Sequence, residues 1–493
     1  MKVLYYTACS YFYPGYQVVL NQVMEDIKAG NDIYWAYCNK ALSRCCYSAS
    51  DPLRCGFCKL GYKNLEKKLK EDVTFIPVNK HILKDVTIPK LSNYGDLKAF
   101  EYEGVKIGHS ILSLYISSTR NNDGTTLSDT LQQLIHQVTP ELCGIADNAE
   151  TLVDTYKPDA IKIYNGRLFE NRFFYDIAIK RGIHFTSLEV SGGYGEPFYP
   201  MKYEGGLPHS VKIFTEKTFA TWDESTETEE IKIRKGSDFY ERRRNGKPTG
   251  DKKIYVKNQE MGLLPEGYDK NRYNVVIFNS SSDEIAALGG DWEESFRLFK
   301  TQYEACEYIL ENTPADIQYY LRVHPNLTNV NYSYHTDLYK LQDKYPNIVV
   351  IPPDSQISTY SLLDVADKVI TFGSTMGAEA CYWGKPALLV GMSYYRYLGL
   401  SHYVASKEEL INAIVDKSIP VGNRLNAIKY AYFLMDREFS TAKENNVSLN
   451  LPTLKIGSNI IPVEKSQKIA GSSKLYAIMR YFLVHSHLFS KPL

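Results

Sequence analysis

Residues 366–391 confine this chain to a parallel α/β architecture before anything else is considered. Val369-Ile370-Thr371-Phe372 is a short apolar run that ends in Gly373-Ser374-Thr375, and a helix-like segment through Glu379 follows. Gly384-Lys385-Pro386 breaks that helix, and residues 387–390 read as the next strand. Two strands joined by a helix pair in parallel, and parallel sheets are buried on both faces. The loop is small and polar and opens a helix, where backbone N–H groups lack partners and the helix dipole is positive, so it suits a phosphate. Glu379 lies about one turn further on, where a carboxylate reaches the hydroxyls of a ribose whose phosphate sits on the loop. Phosphate loop and ribose acceptor in one unit point to a nucleotide or nucleotide-sugar site. By itself the segment is equally compatible with a Gly-Ser-Thr turn that binds nothing.

The rest of the chain repeats the pattern. Residues 2–8 read as a first strand, 16–29 as a helix with Val19, Val23 and Ile27 on one face, and 33–37 as the second strand. A strand at 159–164 ends in Asn165-Gly166-Arg167, and a strand through Leu188-Glu189-Val190 runs into the loop Gly192-Gly193-Tyr194-Gly195. Ligands of open α/β sheets gather at such carboxyl ends, so Asn165, Arg167 and Glu189 are expected to face one cleft. A second α/β unit opens with a strand at 273–278 and the loop Asn279 to Asp283, then a helix over 292–312. Its next strand, 317–323, ends in His324-Pro325-Asn326. The expected domains are an N-terminal Rossmann-like acceptor domain (1–211), a charged insertion or linker (212–272), a C-terminal Rossmann-like nucleotide-sugar domain (273–420), and C-terminal helices and tail (421–493). Two such domains facing a cleft, with C-terminal helices crossing back, describe the GT-B architecture.

Charge and composition exclude several classes of partner. Lys+Arg and Asp+Glu balance at 57 each, so no global field attracts nucleic acid or an acidic membrane. The run Arg242-Arg243-Arg244 follows acidic residues and reads as the solvated face of a helical hairpin. The N-terminus begins directly with strand-like sequence and shows no secretory signal, so a cytoplasmic location is expected. Residues 474–489 mix apolar and basic side chains at near-helical spacing, which fits a docked helix or a peripheral contact with a membrane interface. Four of the nine cysteines, Cys38, Cys45, Cys55 and Cys58, have the pair-and-pair spacing of a four-thiolate structural zinc site; reduced, unliganded thiols are the alternative.

Three loops of the second unit, at 280–282, 322–326 and 373–375, fall together at strand carboxyl ends. They offer hydroxyls, backbone N–H groups, a guanidinium and an imidazole, a mixture that suits a pyrophosphate or phosphodiester. On Arg322-Val-His-Pro-Asn326, Ser358-Thr-Tyr-Ser-Leu-Leu363, Ala366-Asp367 and Gly373-Ser-Thr-Met-Gly-Ala-Glu-Ala380 with Gly384-Lys-Pro386, the chain resembles bacterial capsule and lipopolysaccharide glycosyltransferases of GT-B type. Tyr164-Asn-Gly-Arg167, Glu189 and the cysteine pattern resemble the N-terminal half of the same group. The His-Pro with a later Ser/Thr pair is similar to transferases that hold a CMP-sugar; Glu379 followed by Gly-Lys-Pro is similar to UDP-sugar enzymes.

The resemblance implies a donor site of Ser281, Ser282, Arg322, His324, Ser374 and Thr375, with Glu379 on the ribose and no catalytic metal. It also implies a growing oligosaccharide or lipid-linked acceptor and other polysaccharide-assembly proteins as partners. Glu189, beside Arg167, is the candidate base for the acceptor hydroxyl; a structural bridge between the two is the alternative. A nucleotide-sugar 2-epimerase, a CDP-polyol phosphotransferase and a non-catalytic assembly component remain as alternative functions.

Overall fold

A computed structural model of the 493-residue chain describes residues 1–8, 13–45, 48–49, 52–78, 86–124, 126–190, 200–249, 254–436, 453–456 and 459–462. The Gly192 to Gly195 loop and the tail at 474–489 lie outside the described residues. The first half comprises β1 (Lys2–Thr7), α1 (Tyr13–Lys28), β2 (Asp32–Cys38), α2 (Pro52–Leu69), β3 (Val73–Val78), α3 (Ile107–Thr119), α4 (Asp129–Tyr156), β4 (Ala160–Tyr164), α5 (Arg172–Arg181), β5 (His184–Val190) and β6 (Pro200–Glu204). A helical hairpin follows, α6 (Val211–Glu224) and α7 (Glu229–Arg244). The second half comprises β7 (Tyr273–Phe278), α8 (Gln302–Asn312), β8 (Ile317–Arg322), β9 (Ile348–Ile351), α9 (Thr359–Val365), β10 (Lys368–Thr371), α10 (Met376–Tyr382), β11 (Ala387–Leu389), β12 (His402–Tyr403), α11 (Lys407–Val415) and α12 (Arg424–Asp436).

Each half is built on a six-stranded sheet. The first has the order β3-β2-β1-β4-β5-β6, parallel except for β6; the second has the order β9-β8-β7-β10-β11-β12 and is parallel throughout. In both, the chain winds outward from a central strand and then crosses to its other side, at β1/β4 and at β7/β10. Alternation along the strands divides the apolar side chains between two layers. Leu4 and Tyr6 join one core and Val3 and Tyr5 another; Val275 and Ile277 face one way, Val276 and Phe278 the other. Burial on both faces accounts for the unbroken apolar strands of the second sheet. The two Rossmann-like domains expected of a GT-B fold are therefore present.

Two expectations change. The helix foreseen over 292–312 divides into a 3₁₀ segment, Gly290–Phe296, and α8, which starts at Gln302 with Thr301 as its N-cap. The 212–272 segment is no solvated excursion, because the α6–α7 hairpin packs into a core with α10 and α12. Phe214, Trp222, Phe239, Tyr240, Tyr382, Tyr430 and Phe433 fill that core. Tyr240 stacks on Tyr382 at 4.2 Å and donates its hydroxyl to the Ala427 carbonyl at 2.7 Å. α12 crosses back as far as this hairpin.

Among the described residues no helix is long and apolar enough to cross a membrane. Of the expected zinc ligands, Cys38 closes β2 and Cys58 lies on α2, while the side chains of Cys45 and Cys55 are outside the described residues. Among the described residues no group of three or more His, Cys, Asp or Glu side chains could hold a metal ion. Zinc therefore receives no support.

Candidate functional site

A cleft enclosing about 700 Å³, open solvent included, lies over the carboxyl ends of β7, β8 and β10. This is the crossing point of the second sheet, where diverging connections leave a crevice. Phe278-Asn279, Arg322 with His324-Pro325, and Ser374-Thr375-Met376 supply its floor, and Thr359, Tyr360 and Glu379 one side. Arg243, Lys247, Thr249 and residues 254–256 supply the rest of its wall. Its lining charges are thus Arg243, Lys247 and Arg322 against the single carboxylate of Glu379, a balance that favours an anionic ligand.

Each floor residue is held by its own loop. Asn279, almost fully buried, accepts the His324 backbone N–H on Oδ1 at 2.6 Å. His324 Nδ1 in turn accepts the Asn326 N–H at 3.1 Å, so in the neutral ring the proton sits on Nε2. The Tyr255 ring meets this imidazole edge-on at 5.3 Å. Ser280 Oγ donates to the Phe372 carbonyl at 2.5 Å, tying the loop after β7 to the Gly373-Ser374-Thr375 loop. Ser374 Oγ accepts the Met376 N–H at 3.4 Å, and its carbonyl accepts the Tyr395 hydroxyl at 2.7 Å. α10 is only seven residues long, so its dipole contributes less than the sequence implied.

The charged residues are more constrained. Arg322 is buried, which lowers its pKa to about 10, and its guanidinium donates to the carbonyls of Pro352 and Ser355. It therefore braces the loop after β9 as well as lining the cleft. Glu379 is 1% exposed; Oε1 accepts Arg243 Nε at 2.9 Å, and Oε2 accepts the Tyr360 hydroxyl. Burial, and then the Glu379 charge, push the Tyr360 hydroxyl far above its ordinary pKa, so it stays a donor. Arg243 Nη2 extends to Thr375 Oγ1 at 3.4 Å.

Ser281 and Ser282 are absent from the cleft lining and serve the seam between the domains. Arg120, just past α3, donates Nε to Asp283 at 2.8 Å, Nη2 to Ser281 Oγ at 2.9 Å and Nη1 to the Asn326 carbonyl at 2.6 Å. Asn122 donates to Ser282 Oγ at 3.1 Å. Glu189 and Arg167 sit at the carboxyl ends of the first sheet, outside the cleft lining. Glu189 accepts the Tyr164 hydroxyl at 2.8 Å, the Asn165 amide at 2.6 Å and the Val190 N–H at 3.0 Å. Arg167 is not among these donors, and its Nε is buried without a partner among the described residues, so the alternative of a bridge between the two is not seen there.

The structure thus gathers Arg322, His324, Ser374, Thr375 and Glu379 and sets Ser281, Ser282, Arg167 and Glu189 apart. Sequence reasoning missed Arg243, Lys247 and Asn279. Nothing local separates Arg243 from its neighbours Arg242 and Arg244; its partner Glu379 lies 136 positions away.

A comparison with curated proteins found no match. Among solved structures, the chain is similar to a β-Kdo 2,4 transferase, KpsC, of Thermosulfurimonas dismutans. That similarity has 17% identity and a TM-score of 0.33, covering 56% of this chain and 79% of that one. It is also similar to a UDP-GlcNAc 2-epimerase of Neisseria meningitidis, at 10% identity and a TM-score of 0.29, covering 88% of this chain and 97% of that one. Likeness at this level is distant and assigns no activity to this chain. Over residues 251–418, a span that holds the whole second sheet and stops short of Arg243 and Lys247, the chain matches the family of capsule polysaccharide biosynthesis proteins.

Proposed function

We propose that this chain is a glycosyltransferase of capsule polysaccharide assembly, moving a sugar from a CMP- or UDP-linked donor to an oligosaccharide or lipid-linked acceptor. The observation that carries this reading is the convergence of His324, Ser374 and Thr375 in a net-cationic cleft at the crossing point of the second sheet. The capsule-family match over 251–418 supports the biological setting. The transfer breaks the bond between the donor's anomeric carbon and its phosphate oxygen and forms one to an acceptor oxygen. Negative charge then grows on the departing nucleotide, and donors already fixed in place offset it without reorganising. His324 Nε2–H, the Ser374 and Thr375 hydroxyls and the nearby guanidinium groups supply such donors.

The acceptor hydroxyl must lose a proton, and we assign that task to Glu189, with Arg167, whose backbone N–H bonds the same Asn165 that holds Glu189, orienting the acceptor. Support comes from its place at a strand carboxyl end and from the Tyr164 hydroxyl, Asn165 amide and Val190 N–H, which hold its carboxylate in a fixed orientation. Closure of the two domains would exclude water that otherwise hydrolyses the donor.

Thermal-shift and calorimetric titration with CMP, CDP, UDP and GDP tests the reading on the wild type, Ser374→Ala and His324→Ala. One nucleotide at 100 times its Kd is expected to stabilise the wild type by about 2.7 kcal/mol, and both substitutions to abolish that shift. Silence from all four nucleotides would sink the proposal. A donor incubated without acceptor that returns its epimer would instead make the chain an epimerase. Phosphorus label in the polymer would indicate polyol-phosphate transfer.

A further inference from the structure

We propose that Glu379 acts as a positioning residue for Arg243, and that Arg243 with Lys247 forms the anion-binding wall of the cleft; this rests on reading the cleft as a nucleotide site. The sequence suggests a different role for Glu379, that of a ribose ligand. Its carboxylate, however, is 1% exposed and takes a donor on each oxygen, Arg243 Nε at 2.9 Å and the Tyr360 hydroxyl. A ribose hydroxyl would have to enter a carboxylate already paired and closed to solvent. The same two bonds have a clear effect on Arg243. With Nε on Glu379 and Nη2 on Thr375 Oγ1, the planar guanidinium is laid against the Ser374-Thr375 loop, where a phosphate would sit.

The helix that carries Arg243 is firmly seated. Arg244, next in sequence, pairs with Asp364 at 2.6 Å and stacks over the Trp383 ring at 4.7 Å. Phe239, one turn back, lies 5.5 Å from the Arg243 guanidinium. Arg243 is 15% exposed on its side chain, enough to meet a ligand and too little to wander. Lys247, from the turn that ends the hairpin, lines the same wall and adds a second positive charge. Charge-assisted bonds to phosphate are roughly twice as strong as neutral ones, and a short helix dipole leaves most of the charge compensation to these side chains. The ligand class is thus a nucleotide whose phosphate, and not its ribose, carries the recognition made by Glu379.

A double-mutant cycle on the full chain tests this. Calorimetry would use CMP, UDP, cytidine, uridine and inorganic pyrophosphate against wild type, Arg243→Ala, Lys247→Ala, Glu379→Gln and the Arg243→Ala/Glu379→Gln pair. Arg243→Ala is expected to weaken the bound nucleotide at least tenfold and Lys247→Ala several-fold. Glu379→Gln should change nucleotide affinity and leave nucleoside affinity unmoved, and its effect should vanish once Arg243 is alanine. The two wall variants carry the test if Glu379→Gln does not fold.

The inference is overturned if Arg243→Ala binds nucleotide within twofold of wild type. It is equally overturned if Glu379→Gln weakens nucleoside and nucleotide alike and still does so without Arg243. If no nucleotide binds the wild type, the glycosyltransferase reading falls. Pyrophosphate bound by wild type and lost in Arg243→Ala would then sustain the anion wall, and absence of pyrophosphate binding would overturn it too.

Discussion

Gly373 shapes the loop that carries Ser374 and Thr375 through its backbone alone. Its φ of 101° is one that side-chain-bearing residues rarely adopt, and a Cβ there would stand 2.5 Å from the Met392 carbonyl oxygen. Gly373→Ala is expected to cost about 1–3 kcal/mol and to displace Ser374 and Thr375. A lowered melting temperature together with a lost nucleotide shift would bear this out; an unchanged nucleotide shift would show that the loop tolerates the strain. This loop was legible in the sequence because its signals are local: an apolar run, a glycine, two hydroxyls and a helix. The serines at 280–282 carry the same chemistry, yet their fates depend on what the strand end faces. Ser280 bonds to the neighbouring loop, while Ser281 and Ser282 meet Arg120 and Asn122, about 160 residues earlier in the chain. No window of sequence contains that distinction.

At the scale of elements, the α6–α7 hairpin decides whether the cleft has its cationic wall. α7 approaches α12 so closely that a Cβ on Gly236 would lie 2.4 Å from the Ile428 carbonyl oxygen. Gly236→Ala should force the helices apart, destabilise the protein by about 1–3 kcal/mol, and weaken nucleotide binding because Arg243 rides on the same helix. Chemical denaturation and calorimetry on one preparation check both effects; lost stability with intact binding would separate the hairpin from the site. The sequence marks these helices correctly but gives no sign of where they dock. Trp222, Phe239 and Tyr240 are spread through a strongly charged stretch, and their partners come from α10 and α12, far along the chain. Charge density suggests exposure, whereas Arg243 and Arg244 are mostly buried against the Glu379 and Asp364 carboxylates and the rings of Tyr360 and Trp383.

At the scale of the whole molecule, the seam between the domains is expected to be sensitive to acid. His109 on α3 is 9% exposed and lies under Gly289 of the second domain. Burial, with Arg172, Lys98 and Lys106 adding repulsion, lowers its pKa from 6.5 to about 3. Between those values the unfolded chain binds a proton that the folded chain refuses, so stability is lost as pH falls from about 6.5 towards 3. Melting temperatures from pH 7 to pH 4 should drop more steeply for wild type than for His109→Gln; parallel curves would exonerate this residue.

The span that matches a known family begins at residue 251, whereas Arg243 and Lys247, two of the three cations lining its cleft, come before it. A graft cut at the family boundary would carry the floor of the cleft with Arg322 but without Arg243 and Lys247, and the recipient would inherit a cassette with the shape of the cleft and one of its three cations. Exchange between relatives by recombination would keep the trait only when the breakpoint falls before Val211, where the hairpin begins.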